Sequence, residues 1–235
     1  MLFRFLIIAV IIVARICVAD EVKNTQPQIR DLGGGLFQVG NVTLDKNAHS
    51  ITLPAAVQMT EGVIEYLLVT HTGKTHESAF VTEVEPFHLH TAMLLLGAKG
   101  SPESKGGIES SGQLTATTLK NAPVLKGDRV SIFVKWKAGG DVKHANAEDF
   151  VLNDGEKHNA TRGSWTYNGS GFYKEGKFAA QIEGSFIAMV VDPTALINNP
   201  RPGHDNDSIW LVDPAKIPPK DTPIEITIQL EHTRP

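Results

Sequence analysis

A chain of 235 residues with 41% hydrophobic and 20% charged residues has the composition of a globular protein, and a single cysteine excludes a disulfide scaffold. Its formal charge of −4 gives no field for nucleic acid or an anionic membrane surface, because phosphate contact and counterion release both need surplus cations.

Residues 1–19, MLFRFLIIAVIIVARICVA, have the layout of a secretory signal peptide. Arg4 is a short positive start, the run to Ala14 is apolar, and small residues lead to expected cleavage after Ala19. The run is shorter than the ~20 residues that a membrane span needs, and Arg15 interrupts it. Retention as an uncleaved anchor is the alternative. The expectation is an exported protein, periplasmic or extracellular, with no membrane span after cleavage. Cys17 leaves with the signal, so no disulfide and no iron–sulfur cluster is expected.

Residues 20–35, ending in DLGGGL, read as a flexible lead-in. Residues 36–235 then read as one domain, with a possible subdivision in the polar loop 99–112. LFQV, NVTL and SITL are short strands, the last ended by Pro54. VIEYLLVT is apolar on both faces and reads as a central strand. With THESAFVT it forms an expected hairpin around Thr72-Gly73. Pro86 suits the first position of a helix that runs through Ala92, Met93 and Leu94 to Gly97. This helix is apolar nearly all round, so burial near residues 86–97 is expected.

TATTL is a further short strand. RVSIFVKW places Val130, Ile132, Val134 and Trp136 on one face. Asn168-Gly169, with Glu175-Gly176 and Glu183-Gly184, predicts an antiparallel meander over 164–191. Asp192-Pro193 and Asp213-Pro214 look like starts of short helical turns. PIEITIQLEH is a period-two strand with Ile224, Ile226, Ile228 and Leu230 inward. The fold expected from these elements is β-rich α+β, with antiparallel sheets, a sandwich-like C-terminal half and one buried helix.

The segments GVIEYLLVTHTGKTHESAFVT, HLHTAMLLLGAKG, GDRVSIFVKW, SWTYNGSGF and IAMVVDPTALINNPRPG resemble, in that order, the YdjY-domain family of exported bacterial proteins. The resemblance implies export from a bacterial cell and brings no catalytic residues. Some members are described as iron–sulfur proteins, and the lack of a mature cysteine breaks that link here.

The stretch Gly73–Ala98 carries His76, Glu77, His88 and His90. Three imidazoles and a carboxylate suit a divalent metal such as zinc, although the spacing matches no zinc motif. Two helical positions differ by about 200°, so His88 and His90 point to opposite sides. At most one can join His76 and Glu77. The other reading puts one histidine in the core with a hydrogen bond and one at the helix start. Glu65 interrupts an apolar strand, and a buried carboxylate there needs a partner. A hairpin register faces Glu65 with Phe80 and keeps it about 13 Å from His76. A solvent-facing Glu65 is the favoured reading. Asp205 and Asp207 offer oxygen ligands for calcium without EF-hand spacing. Ser78, Ser164 and Ser170 sit in no nucleophile motif. Trp136, Trp165, Tyr167, Phe172 and Tyr173 read as core, or as a strip for stacking a sugar or peptide.

Two function classes follow. One is a non-catalytic binding or envelope-assembly module for an unknown protein or small-molecule ligand. The other is a metal-dependent or carboxylate-using enzyme built on Glu65, His76, Glu77, and His88 or His90.

Overall fold

The computed structural model describes residues 26–101, 124–173 and 175–231. The segment read as a signal peptide, the strand expected at TATTL and residues 102–112 of the expected dividing loop lie outside them.

The N-terminal strands are β1 (Ile29–Gly33), β2 (Leu36–Val39), β3 (Val42–Asp45), β4 (Ser50–Val57), β5 (Tyr66–Thr70) and β6 (Ser78–Thr82). Helix α1 (Pro86–Leu95) follows. Then come β7 (Asp128–Ala138), β8 (Asp141–Asn146), β9 (Val151–Asn153), β10 (His158–Asn159) and β11 (Trp165–Tyr167). Helix α2 (Ala179–Glu183), β12 (Ser185–Ala188), β13 (Ile197–Asn198), β14 (Trp210–Val212) and β15 (Pro223–Leu230) complete the chain.

Eight strands close into a barrel in the order β4, β15, β7, β11, β13, β12, β5, β6. β6 returns to β4 through Ala56–Val81 and Val57–Phe80. This corrects the expected α+β sandwich. A sandwich leaves its sheets open, whereas the pairing of β4 with β6 closes this ring, with β1 and β8 left as edges outside it and β10, β9 and β14 forming a separate three-stranded sheet. Two joints are parallel, β12 with β13 and β5 with β6, so the sheet is mixed. Helix is minor, confined among the described α-helices to ten and five residues.

Period-two patterning builds the barrel wall as expected. Ile226 and Ile228 of β15 lie opposite Val134 and Ile132 of β7 and Leu53 and Ile51 of β4, all buried. Phe150 packs edge-on against Phe80 and Trp136.

Pro54 does not end β4. It marks an exchange of partners: Ser50–Thr52 pair with β3, while Ala56 and Val57 pair with β6. Proline lacks a ladder donor, and the switch point is where that donor matters least. Its carbonyl accepts the Thr82 hydroxyl at 2.6 Å. Strand also begins earlier than expected, inside the stretch read as a lead-in. Gly33, Gly34 and Gly35 all have positive φ, which makes the glycine run the turn between β1 and β2.

The hairpin expected at Thr72-Gly73 is overturned. β6 runs parallel to β5, with Tyr66 beside Ser78 and Leu68 beside Phe80. The connection from His71 to Glu77 doubles back along β5 and includes a 3-10 turn at Thr75–Glu77. Gly73 suits this connection, since a Cβ there would meet the Gly184 carbonyl at 3.0 Å and Val69 Cβ at 3.1 Å, closer than ordinary packing allows.

The expected meander over 164–191 is also overturned. β11 pairs with β7 and β13. Asn168 is buried, donating to the Ala195 carbonyl at 2.9 Å and accepting from Asn198 at 2.8 Å. An asparagine tied inward on both sides of its amide does not make a solvated hairpin tip.

Helix α1 starts at Pro86 as expected but is not buried all round. Leu89, Ala92 and Met93 are buried, whereas Leu94 and Leu95 are exposed. The helix packs on β2, β3 and β4 and touches α2, and its uniform apolarity did not reveal which side would be covered. No helix among the described residues is long and apolar enough to cross a membrane.

Candidate functional site

The parallel turn of β6 brings Glu65 to Glu77, not to Phe80. The Glu65 N–H donates to the Glu77 carbonyl at 3.0 Å. Lys74, on the returning connection, sits between the two side chains, 3.2 Å from Glu65 Oε2 and 3.7 Å from Glu77 Oε2. Its ammonium also lies 5.4 Å from the Tyr66 ring centroid. Glu65 is thus half-buried with a cationic partner, which corrects the solvent-facing reading. Burial pushes the Glu65 carboxyl above its usual range, Lys74 pulls it back, and neighbouring Glu77 adds to the rise. Burial opposes the charge on Lys74, but Glu65 and Glu77 outweigh it and its pKa is raised.

His76 Nε2 lies 3.4 Å from Glu77 Oε1, with its side chain 76% exposed. It stands at the rim of this cluster. The Tyr66 hydroxyl donates to Asp192 Oδ2 at 3.0 Å. The N–H and hydroxyl of Thr194 both donate to Asp192 Oδ1. Asp192 therefore caps the single turn that follows, whose Ala195 N–H donates to the Asp192 carbonyl at 3.1 Å.

Helical phase separates His88 from His90, as their spacing requires. His90 lies among Phe87, Phe178 and Tyr167, with Nδ1 2.9 Å from the Tyr167 hydroxyl. Burial pushes its imidazole down to about 4. His88 packs on the opposite side against Gly40, in the turn between β2 and β3, where an added Cβ would fall inside its ring. Burial lowers the His88 pKa, opposed by Glu85 3.8 Å away. Neither histidine reaches His76 and Glu77. Among the described residues, no three side chains of His, Cys, Asp or Glu converge well enough to hold a metal ion. Of the calcium candidates, Asp207 Oδ1 accepts the Ser208 hydroxyl, and Asp205 lies in the same loop.

The serines are engaged internally. Ser78 donates to the Phe80 carbonyl, and Ser170 donates to Thr194 O and accepts from Ala180 N–H. Ser164 accepts from Arg129 and donates to Glu231. Trp165, Tyr167 and Tyr173 are buried and Trp136 is partly so, whereas Phe172 is exposed, so the aromatic strip is core except at Phe172.

The site that sequence reasoning missed lies beyond β11. Arg201 and Glu148 form a buried ion pair, 9% and 4% exposed at their side chains. Arg201 also donates to the Thr161 and Gly163 carbonyls and to Asn199 Oδ1, and its guanidinium lies 4.7 Å from the Trp165 ring. The Trp165 indole N–H donates to the same Glu148 oxygen at 3.0 Å. Burial lowers the Arg201 pKa, and Glu148 opposes that effect. Beside this pair opens a cavity of about 210 Å³, lined by Asn153, Glu156, Arg162, Ser164, Arg201 and Trp210 among others. Its lining includes none of Glu65, His76, Glu77, His88 or His90. The signal available in the sequence was Arg201 itself, a cation between two prolines in the run NNPRPG.

The YdjY domain family matches residues 42–229. No curated protein and no solved structure matches the chain.

Proposed function

The chain belongs to the YdjY domain family, and from that premise we propose that it is an exported, non-catalytic module that binds a ligand or partner outside the cytoplasm. One observation carries the reading. The residues suited to acid–base chemistry and the concave site occupy different places. Glu65 and Glu77 serve as counter-ions to one ammonium, Lys74, while the cavity opens beside Arg201. Binding sites are typically concave and few per protein. Export is supported by the N-terminal layout of Arg4, the apolar run and the small residues before Asp20.

The second reading is an enzyme using the Glu65, His76 and Glu77 edge. The raised carboxyl of Glu65 favours it, since perturbed groups gather at functional sites. One preparation tests both. The full chain is expressed in a bacterial host, fractionated and purified from the periplasm, then analysed for its N-terminal mass, its bound metals and hydrolysis of ester and phosphate substrates. The expected result is a chain beginning at Asp20, far less than one metal ion per chain and no turnover. Turnover abolished by Glu65→Gln or His76→Ala would replace the binding reading with the enzyme.

A further inference from the structure

We propose that the cavity beside Arg201 binds a small organic carboxylate, with Arg162 and Arg201 on the anion. This rests on the reading of the domain as a binding module and names the site and ligand class.

Charge is sorted around the cavity. Arg162 and Arg201 both line it, but their counter-ions do not. Arg162 makes a bidentate pair with Asp149 at 2.8 to 3.0 Å. Arg201 is paired with Glu148, which also accepts the Trp165 indole N–H. The lining therefore includes both arginines and neither of their carboxylates. Glu156 is the acidic liner, and its Oε2 lies 3.3 Å from His158 Nε2. The surface presented to a ligand is cationic on balance, although the neighbourhood as a whole is close to neutral.

Preorganisation is the second element. Four acceptors from four residues fix the guanidinium of Arg201, and Trp165 lies beside it. A side chain so held loses little rotamer freedom when a ligand arrives. Planar guanidinium groups also match carboxylates in shape and charge better than an ammonium does.

The third element limits the ligand's size and body. A volume of about 210 Å³ admits a compact molecule rather than a chain of residues. Trp210 is 1% exposed and its indole N–H is donated to the Gly203 carbonyl at 2.9 Å, so it closes the cavity without offering a ligand a hydrogen bond. A compact carboxylate fits this combination.

The test uses the purified full-length protein and four carboxylates, acetate, butyrate, lactate and succinate, beside butyramide, succinamide and inorganic phosphate. Binding is read by thermal shift and by tryptophan fluorescence. The expected result is a saturable response to at least one carboxylate and a much weaker one to its amide. Arg162→Ala, at a side chain 66% exposed and able to fold, weakens that affinity by about tenfold or more. Lys135→Ala, on the outer face of β7, leaves it unchanged. Equal response to carboxylate and amide, or to carboxylate and phosphate, overturns the ligand class and leaves the binding module standing. Saturable binding unaffected by Arg162→Ala overturns the site. No saturable response to any carboxylate overturns the proposal as a whole. Chemical conversion of a probe by the protein is a different result, and it overturns the non-catalytic reading itself.

Discussion

The Tyr167 hydroxyl and the Nδ1 of His90 stand 2.9 Å apart, tying a strand of the barrel wall to helix α1. Because burial holds this imidazole down to about 4, its folded value lies below its ordinary one. The associated stability is complete above the ordinary value of 6.5 and is lost as pH falls through about 4. A shift of that size corresponds to roughly 3 kcal/mol. Urea unfolding of the native protein and of His90→Gln, repeated at falling pH, reads the effect. The native advantage should shrink steadily across that window. A difference independent of pH would remove His90 from the acid response.

Glu148 and Arg201 are expected to behave as a unit. Glu148→Ala leaves a buried guanidinium without its counter-ion and should cost about 3–5 kcal/mol. Replacing both residues with methionine should recover most of that loss, because two uncharged side chains need no mutual compensation. Denaturant midpoints of the two single variants and the double variant decide it. Additive losses would show that the pair is not coupled.

Gly40 sits at φ +56°, and a Cβ there would enter the His88 ring. Gly40→Ala should cost roughly 1–3 kcal/mol through backbone strain and the clash together. In a His88→Ala background the clash disappears and only the strain of about 1 kcal/mol remains. A double-mutant cycle by chemical unfolding measures the coupling, and a coupling near zero would contradict the contact.

Glu65 gives the opposite pH sign from His90. Its folded carboxyl is raised, with burial the largest cause. The stability tied to it is complete below the ordinary carboxylate range and is lost as pH rises through the raised value. Glu65→Gln should therefore gain on the native protein as pH rises through that window. Paired thermal melts across the acid range test this. A gain on acidification instead would mean that Lys74 outweighs burial.

Much of the barrel wall was legible in the sequence. Ile224, Ile226 and Ile228, and Val130, Ile132 and Val134, alternate cleanly and are buried, because alternation is a local property. The start of α1 at Pro86 was legible for the same reason. The direction of β6 was not. Alternation is identical for a parallel and an antiparallel strand, and the parallel connection places Gly73 against Gly184, a contact across 111 positions. That error moved Glu65 away from Glu77 on paper, while the structure joins them. Arg201 and Glu148 were invisible as a pair because 53 positions separate them, and a lone charge in a polar loop reads as surface. His88 and His90 were placed apart correctly, since helical phase is again local.

β15 lies between β4 and β7, although it is the last of the described strands. The two walls that it joins precede it in the sequence, and without it β4 and β7 would each present an open edge at that seam. Closure of the barrel therefore requires Pro223–Leu230, and a chain cut before Pro223 has the wall but no way to seal it.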